Sequence, residues 1–280
     1  MNKKVGITNR VFLQPFIPPM HIGDEKMKCK VNGKILKGKI ESVLLKGKWN
    51  NGGTNKNSVL CPTIVFSVDK EGNNCILTNG NPSTYITNSL DLIEMDETKS
   101  GRVALDSDIL LKYLPKEDCI FQLKNNNLQL ITEKKSVSLP ILDRHENNDS
   151  ILFVEKNLKV SRDTKEKVIV SSKTQLETRI KVSSDELSEA FSDCEAVGNS
   201  VYKLDYDGER LTISSSTNTE SVSVNIEPVD SIGVKATMEF SAPFFKYLEG
   251  RTTILSFNDE SPLSVISGNM KILRAPRIEA

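Results

Sequence analysis

The chain has few of the residues that build covalent frameworks and metal sites. Its 280 residues include five cysteines, two histidines and one tryptophan, and aromatic residues make up 6% of it. The cysteines are odd in number and far apart, which favours reduced thiols over a disulfide framework or a zinc site. His21 and His145 have no cysteine or carboxylate neighbours at ligand spacing. We therefore expect no metal and no cofactor.

Long apolar runs are also missing. No stretch approaches the roughly 18 apolar residues that a membrane-spanning helix needs. Arg10 and the prolines at 15, 18 and 19 interrupt the apolar stretch near the N-terminus, so a cleaved signal peptide is not expected. We predict a globular protein of the cytoplasm, or of the nucleus or a viral replication site in a eukaryotic host. The 28 lysines against nine arginines suggest an AT-rich genome, such as that of an archaeon or a virus.

The formal net charge of zero conceals an uneven distribution. Residues 1–142 carry 20 basic and 14 acidic side chains, whereas residues 143–280 carry 17 basic and 23 acidic ones. A uniformly basic nucleic-acid-binding protein is thereby excluded, but a locally basic surface is not.

Two segments of the chain repeat at nearly one offset. Ser67–Gly72 resembles Lys203–Gly208 at an offset of 136, and both read as a strand that enters a glycine-containing turn. Leu110–Leu114 resembles Phe244–Leu248 at an offset of 134, and both read as a short helix before alternating strands. A repeat of this length indicates duplicated domains, because solenoid periods are only about 20–50 residues.

The periodicities within each copy predict an α+β fold with antiparallel sheets and two helices per copy on one side. Strands with alternating apolar residues indicate sheets with one solvated face. The longer helices are predicted at Val31–Lys48 and at Ser184–Val197, where Ser183 or Ser184 is the expected N-cap. We divide the chain into an N-terminal extension (1–26), a first domain (27–142), a connector (143–176) and a second domain (177–280).

Four motifs in this pattern resemble one known family. Leu273–Glu279 is similar to the closing Leu-x-Ala-Pro-Lys/Arg-Ile-Glu of DNA sliding clamps of the proliferating cell nuclear antigen (PCNA) type. Val31–Lys37, Asn81–Tyr85 and Ser261–Leu263 are similar to three further motifs of that family, in the same order. The resemblance covers about Met27 to Ala280 and rests on these four motifs and on the duplicated α+β pattern.

The resemblance implies a ring of three two-domain subunits around duplex DNA, with helices lining the hole and sheets outside. It implies a non-enzymatic processivity factor in DNA replication and repair that holds a polymerase on its template and that a clamp loader opens. Subunits would join through the edges Ser136–Leu142 and Ser221–Ile226. The interface residues expected from this are Val137, Leu139, Ile141, Val222, Val224 and Ile226. Pro140 lies inside the first edge and removes one backbone donor.

The resemblance also assigns DNA contacts to basic residues of the helices. These should be weak, sequence-independent contacts to phosphates, because strong contacts would stop sliding. The candidates are Lys34, Lys37, Lys48, Lys112, Lys116, Lys246 and Arg251. The third helix departs from the family pattern because it is acidic, with Asp185, Glu186, Glu189, Asp193 and Glu195. Three alternatives follow: DNA contacts confined to the first domain, partner subunits that differ from this one, or a clamp relative that does not encircle DNA.

Partner proteins of this family insert a short peptide, the PIP box, beneath the interdomain connector. An apolar groove beside an extended terminus suits such a peptide. The matching positions are Thr84, Tyr85, Ile151, Leu152, Phe153, Val154, Pro262, Ala275, Pro276 and Ile278.

Other functions are less well supported by the sequence. Gly33–Ile40 spells most of a phosphate-binding loop, but Ile40 has no hydroxyl for Mg²⁺ and the segment belongs to an amphipathic helix. No Ser-His-Asp arrangement or carboxylate pair indicates a hydrolase or a nuclease. The main alternative is a clamp-fold scaffold in viral transcription or damage signalling.

Overall fold

Antiparallel strands make up most of the chain that the computed structural model describes. The described residues are 27–44, 46–47, 58–59, 63–69, 73–81, 84–142, 161–162, 168–171, 174–198, 201–241 and 248–277. These residues contain 22 strands and three α-helices.

The strands of the two repeats follow a common order, apart from two short strands after the first helix of the first repeat and one short strand in the second. The first repeat contains β1 (Lys28–Asn32), α1 (Gly33–Val43), β2 (Lys46–Gly47), β3 (Ser58–Val59), β4 (Thr63–Val68), β5 (Asn74–Asn81), β6 (Thr84–Asp91), β7 (Gly101–Asp106), α2 (Ser107–Tyr113), β8 (Asp118–Lys124), β9 (Asn127–Ile131) and β10 (Ser136–Pro140). Short strands β11 (Ser161–Arg162), β12 (Val168–Ser171) and β13 (Thr174–Leu176) follow. The second repeat contains β14 (Thr178–Ser183), α3 (Ser184–Ala196), β15 (Val201–Tyr206), β16 (Leu211–Ser216), β17 (Ser221–Ile226), β18 (Asp230–Ile232), β19 (Ala236–Ser241), β20 (Thr252–Phe257), β21 (Leu263–Ser267) and β22 (Met270–Arg274).

One nine-stranded sheet joins the two repeats. Its strand order is β18-β14-β20-β21-β22-β6-β5-β4-β7, and the repeats meet where β22 pairs antiparallel with β6. Each repeat also has a four-stranded sheet of its own, with the orders β1-β8-β9-β10 and β17-β16-β15-β19. Each repeat therefore packs one sheet that ends in a free edge against one that is shared.

Equivalent hydrogen bonds confirm that the two repeats have the same fold. Asn32 caps α1 by accepting from the Ile35 N–H, and Ser183 caps α3 by accepting from the Glu186 N–H. The first residue of each helix then donates its N–H to a loop carbonyl: Gly33 to Glu117, and Ser184 to Arg251. Gly33 is required because an added Cβ would lie 1.9 Å from the Pro115 carbonyl oxygen.

The core lies between the two sheets of each repeat and beneath the helices. In the first repeat the Phe66 and Phe121 rings stack with centroids 5.0 Å apart. In the second, Phe191 of α3 packs edge-on against Tyr202, at 5.4 Å between centroids. Aromatic pairs of this geometry add about 0.5–1.5 kcal/mol to the area that they bury.

Three sequence-based boundaries differ from the structure. The predicted helix Val31–Lys48 is shorter, because β1 continues to the N-cap Asn32 and because Lys46–Gly47 forms a strand with β3. Lys116 lies outside the second helix, which ends at Tyr113 ahead of Pro115. The edge strand predicted to reach Leu142 ends at Pro140, since the Leu142 N–H donates instead to Ala104 of β7. The predicted fourth helix at 244–248 falls mostly outside the described residues.

Candidate functional site

The helix α1 presents a basic face to solvent. Leu36, Ile40 and Val43 are buried against the sheet, whereas Lys34 and Lys37 on the opposite face are exposed. The apolar stripe at helical spacing therefore decides the direction in which the lysines point. This agrees with the placement expected for groups that meet a polyanion.

The other predicted DNA-contact residues are placed less uniformly. Lys112 is exposed at the end of α2, with its Nζ 5.2 Å from the centre of the Tyr113 ring. Lys116 and Arg251 are exposed in the loops before β8 and β20. Lys48 and Lys246 lie outside the described residues.

The helix α3 has the opposite charge at the position where α1 is basic. The two N-caps align Lys34 with Asp185, so that one lysine of the first repeat corresponds to an aspartate of the second. Asp185, Glu186, Glu189 and Asp193 are all exposed. Phosphates near α3 would be repelled, because like charges at a surface raise the free energy of association.

A groove separates α1 from α3, which we call the helix groove. It has a volume of about 570 Å³, and its lining includes Ile35, Lys39, Asp185, Ser188 and Glu249. Ile35 is 55% exposed there. The two repeats thus face each other across this groove with a basic helix on one side and an acidic helix on the other.

A hydrogen-bonded network at the base of the helix groove ties the repeats together. The Lys39 Nζ lies 2.6 Å from Glu249 Oε2 and donates to Asn88 Oδ1 at 3.0 Å. The Asn88 Nδ2 donates to Glu249 Oε1 at 2.6 Å and to Ser42 Oγ at 2.8 Å. Asn88 is completely buried in β6, and Glu249 comes from the second repeat. Buried groups that satisfy one another in this way fix the relative position of the elements that carry them.

Nothing in the sequence points directly to this network. Lys39, Asn88 and Glu249 are separated by up to 210 positions, and no single motif contains more than one of them. One indirect signal was available: Asn88 occupies an inward position of the alternating strand β6, between the apolar residues Ile86 and Leu90. A buried amide at such a position requires a polar partner.

The edge strands β10 and β17 are the ends of the two four-stranded sheets. Within the described residues neither has a partner on its outer side. Both follow a turn in which a threonine N–H donates across the turn, Thr132 to Lys135 O and Thr217 to Glu220 O. Because hydrogen bonds alternate along an antiparallel pair, Ser136 and Ser138 in β10 direct their backbone groups outward. Ser221 and Ser223 do the same in β17.

The predicted interface residues lie on the inward face of these edges. Leu139 and Ile226 are buried, and Val137, Val222 and Val224 are half-buried and packed on the core. Ile141 is half-buried just beyond the end of β10.

A second groove crosses the face of the nine-stranded sheet opposite the helices, and we call it the sheet groove. Its volume is about 410 Å³. The side chains that line it include Ile76, Tyr85, Thr87, Arg102, Ile266, Lys271 and Leu273. Tyr85 packs against the buried pair Leu176 and Leu273. Tyr85 and Leu142 both pack against a second buried pair, Val65 and Ala104.

The structure separates the residues predicted to bind a partner peptide. Tyr85 lines the sheet groove, whereas Thr84 is buried and accepts a hydrogen bond from the Arg274 guanidinium. Burial of Arg274 lowers its pKa to about 10. Pro262 and Pro276 are half-buried and Ala275 is exposed. Ile151, Leu152, Phe153, Val154 and Ile278 lie outside the described residues.

None of the His, Cys, Asp and Glu side chains in the described ranges form a group that could hold a metal ion. No helix in the same part of the chain is long and apolar enough to cross a membrane.

Comparison with solved structures identifies the fold as that of DNA sliding clamps. No family model and no curated protein sequence matches the chain. The DNA polymerase sliding clamp from Bacillus subtilis matches with a TM-score of 0.66 and 17% identity, over 93% of this chain and 67% of that one. The DNA polymerase III β subunit from Thermotoga maritima matches with a TM-score of 0.65 and 13% identity, over 95% and 68% of the two chains.

A PCNA structure matches over a larger share of its own length. It is the A. fulgidus PCNA bound to the C-terminal region of FEN-1, with a TM-score of 0.63 and 12% identity. The match covers 91% of this chain and 99% of that one. The fold class predicted from the sequence, two duplicated clamp domains with antiparallel sheets, is confirmed by these matches.

Proposed function

We propose that the chain is the subunit of a ring-shaped DNA sliding clamp, a processivity factor that tethers a polymerase to duplex DNA. The proposal rests on the structural equivalence of the two free edges, β10 and β17, to two strands that pair within the chain. In the duplicated fold β10 corresponds to β22 and β17 corresponds to β6. Strands β22 and β6 already pair with each other inside the chain. The free edges are therefore the two halves of a second junction of the same kind.

Transferring the β22–β6 register to the free edges predicts how two copies pair. In the internal junction Lys271 lies opposite Thr87 and Leu273 opposite Tyr85. The corresponding pairs between copies are Ser136 with Ser223 and Ser138 with Ser221. These are the four residues whose backbone groups point outward, so both edges supply matching donors and acceptors. Pro140 falls beyond the last pair, and its missing N–H does not weaken this junction.

The exposure of the inward residues supports the same pairing. At the internal junction Ile86 and Ile272 are 0% and 2% exposed. Their counterparts, Val222 and Val137, are only half-buried in the single chain. A neighbouring copy would cover both valines. Since the two edges differ, the contact is head-to-tail, which closes into a ring when the rotation permits.

Three copies in a homotrimer are what the PCNA resemblance implies, with the helices facing duplex DNA in the hole. A closed ring cannot leave a continuous strand, so it needs only weak attraction to phosphates. Lys34, Lys37 and Lys112 supply that attraction in this proposal. A clamp loader opens the ring, and PIP-box proteins and the polymerase bind beside Tyr85.

Reversing the charge of the α1 lysines should weaken DNA binding. For Lys34→Glu with Lys37→Glu we expect at least tenfold lower affinity for a duplex, because two phosphate contacts become repulsive. The slope of log K against log salt should fall by about two, at roughly 0.9 per lost contact. Fluorescence anisotropy across a salt series measures both. Lys134→Glu with Lys203→Glu, outside the helices, is the matched control, and an equal loss there would argue against the helix face.

A covalently closed ring gives a direct test of encirclement. Ser138→Cys and Ser221→Cys place thiols opposite each other across the proposed junction, and a short bismaleimide would join them on circular DNA. Four of the native thiols are buried and should not compete, since burial raises the pKa of Cys29 and Cys119 to about 12, that of Cys194 to about 11 and that of Cys75 well above its ordinary value. Cys61→Ser completes the background.

The expected result is a protein–DNA link that survives detergent and is released when the circle is cut. Release before cutting would mean that the protein does not enclose the duplex. Retention after cutting would mean that it is held by other contacts. A Ser138→Cys single variant should give no such link.

A clamp-fold scaffold that does not encircle DNA is the second candidate function. The acidic face of α3 favours it, because Asp185 replaces the basic residue found at the same position of α1. A protein that stays monomeric, and whose function is unchanged by the lysine reversals, would support the scaffold instead.

A further inference from the structure

An uncharged segment precedes the first strand of the fold. Residues 11–20 read Val-Phe-Leu-Gln-Pro-Phe-Ile-Pro-Pro-Met, with three prolines and no charge, in a chain that is 26% charged. Apolar peptides with several prolines favour extended conformations and bind in grooves that contain aromatic residues. Such a segment needs a surface to cover it, because exposed apolar stretches of this size associate.

The uncharged segment is long enough to cross the sheet groove. It runs from Ile266 on β21 to Arg102 on β7, which are five strands apart in the sheet order. At about 4.8 Å per strand the groove is about 24 Å long. Ten extended residues span at most roughly 33 Å, enough to cross it.

The chain also enters the fold at the correct end of the groove. Met27, the first described residue, is buried against Gly101, where an added Cβ would lie 2.6 Å from the Met27 Cβ. The next residue of β7, Arg102, lines the groove. Residues 21–26 can span about 20 Å, which allows Met20 to lie beside Arg102.

The charge at the Arg102 end of the sheet groove is complementary to the acidic residues that precede Met27. Arg102 and Lys271 are the charged side chains in the lining of the groove, and both are basic. Asp24 and Glu25 lie between the uncharged segment and Met27, where they outnumber the single basic residue, Lys26. They therefore approach the Arg102 end when the segment crosses the sheet. The middle of the groove, with Ile76, Tyr85 and Thr87, faces the uncharged part.

We propose that residues 11–20 bind in the sheet groove of their own chain. The docking stands on the groove and on the segment, whereas its regulatory meaning rests on the proposed function. If partner peptides bind beside Tyr85, the segment competes with them and lowers their apparent affinity by the fraction of time that it occupies the groove.

Photo-crosslinking in the full chain locates the segment. Benzoylphenylalanine in place of Phe16 should crosslink to peptides that contain Ile76, Tyr85 or Ile266, identified by mass spectrometry. Crosslinks confined to other surfaces would overturn the proposal, as would their absence. A mixture of isotope-labelled and unlabelled protein distinguishes the same chain from a second copy, and crosslinks only between copies would contradict docking in cis.

Binding of a synthetic peptide gives an independent measurement. A fluorescent peptide of residues 8–22 should bind at least tenfold tighter to Phe12→Glu/Phe16→Glu than to the wild-type chain, since the variant frees the groove. Val5→Glu/Ile7→Glu, in the same N-terminal region, should behave like wild type. Adding Ile266→Glu to the first variant should abolish binding, with far-UV circular dichroism verifying the fold.

Equal binding to wild type and to Phe12→Glu/Phe16→Glu, or binding to neither, would refute occupation of the groove. Either result would leave the ring untouched, because assembly and DNA linkage are measured separately. Conversely, a monomeric protein with a crosslinked segment would refute the ring and keep the docking.

Discussion

Replacing Ser138 with proline should convert the assembled protein into single chains. The Ser138 N–H points to the open edge of β10, and in the proposed junction it donates to Ser221 of the next copy. Proline removes that donor and leaves the Ser221 carbonyl of the next copy without a partner, at a cost of about 1–3 kcal/mol, which weakens each junction by roughly 5- to 150-fold. Light scattering should then report a mass of 31.2 kDa instead of three times that value. The intramolecular pairs of β10 are unaffected, so the unfolding midpoint should hardly change.

Two further variants make this test specific for head-to-tail pairing. Pro140→Ser should leave the assembly intact, because position 140 lies beyond the paired residues. Ser223→Pro should break the assembly from the other edge. An equimolar mixture of Ser138→Pro and Ser223→Pro should form dimers that cannot close, since each variant retains one intact edge. A mixture that stays monomeric, or that restores the full ring, would contradict the register.

Glu249→Gln should lower the free energy of unfolding by about 2 kcal/mol. The change leaves the Lys39 ammonium without its counter-charge and turns one acceptor of Asn88 into a donor. Removing one member of a buried, hydrogen-bonded pair costs several kcal/mol, and the partial exposure here, 16% for Lys39 and 27% for Glu249, reduces that cost. Urea denaturation should measure this loss of free energy. Thermal denaturation should show a melting temperature lower by roughly 4–6 °C.

The ion pair between Lys28 and Glu97 is the matched control. It has a longer distance of 3.3 Å, and Glu97 is 55% exposed. Glu97→Gln should therefore leave the urea midpoint almost unchanged. Lys39→Met combined with Glu249→Gln should recover part of the loss, because the uncompensated charge disappears. Equal effects at Glu249 and Glu97 would mean that the network does not hold the repeats together.

The duplication could be predicted from the sequence because it shows in local signals. The turn that starts at Asp69 and the helix around Leu110 each have a counterpart in the second half, and their offsets differ by two residues only. The structure adjusts the first match. Asp69 and Asp207 both accept from backbone N–H groups at the start of their turns, so Asp69 corresponds to Asp207 and not to Asp205.

Long-range contacts were beyond the reach of sequence patterns. The helical periodicity of the sequence continues past Val43 to Leu44. No local sequence signal predicts that Lys46–Gly47 pairs with Ser58–Val59. The network of Lys39, Asn88 and Glu249 depends on two repeats meeting at one junction. Periodicity reports which face of an element is buried, but not which distant element covers it.

The candidate site was predicted in part. The exposed positions of Lys34 and Lys37 follow from helical periodicity, whereas the edges β10 and β17 were assigned only through the resemblance to sliding clamps. Their roles in DNA binding and assembly stay predictions, as do the domain limits at residues 27, 142 and 176. Thr84 shows that a motif match does not establish a residue's role. Its buried hydroxyl accepts a hydrogen bond from Arg274 and does not face the sheet groove.

The polar network has a consequence for how an assembled ring would part. Counterparts of its members at the junction between copies are Ala190 for Lys39, Val224 for Asn88 and Pro115 for Glu249, and none of these can form an ion pair or an amide bridge. The two repeats at the internal junction are also linked covalently, because they belong to one polypeptide. In the proposed ring, strain would therefore open the contact between two copies before it separated the two repeats of one chain.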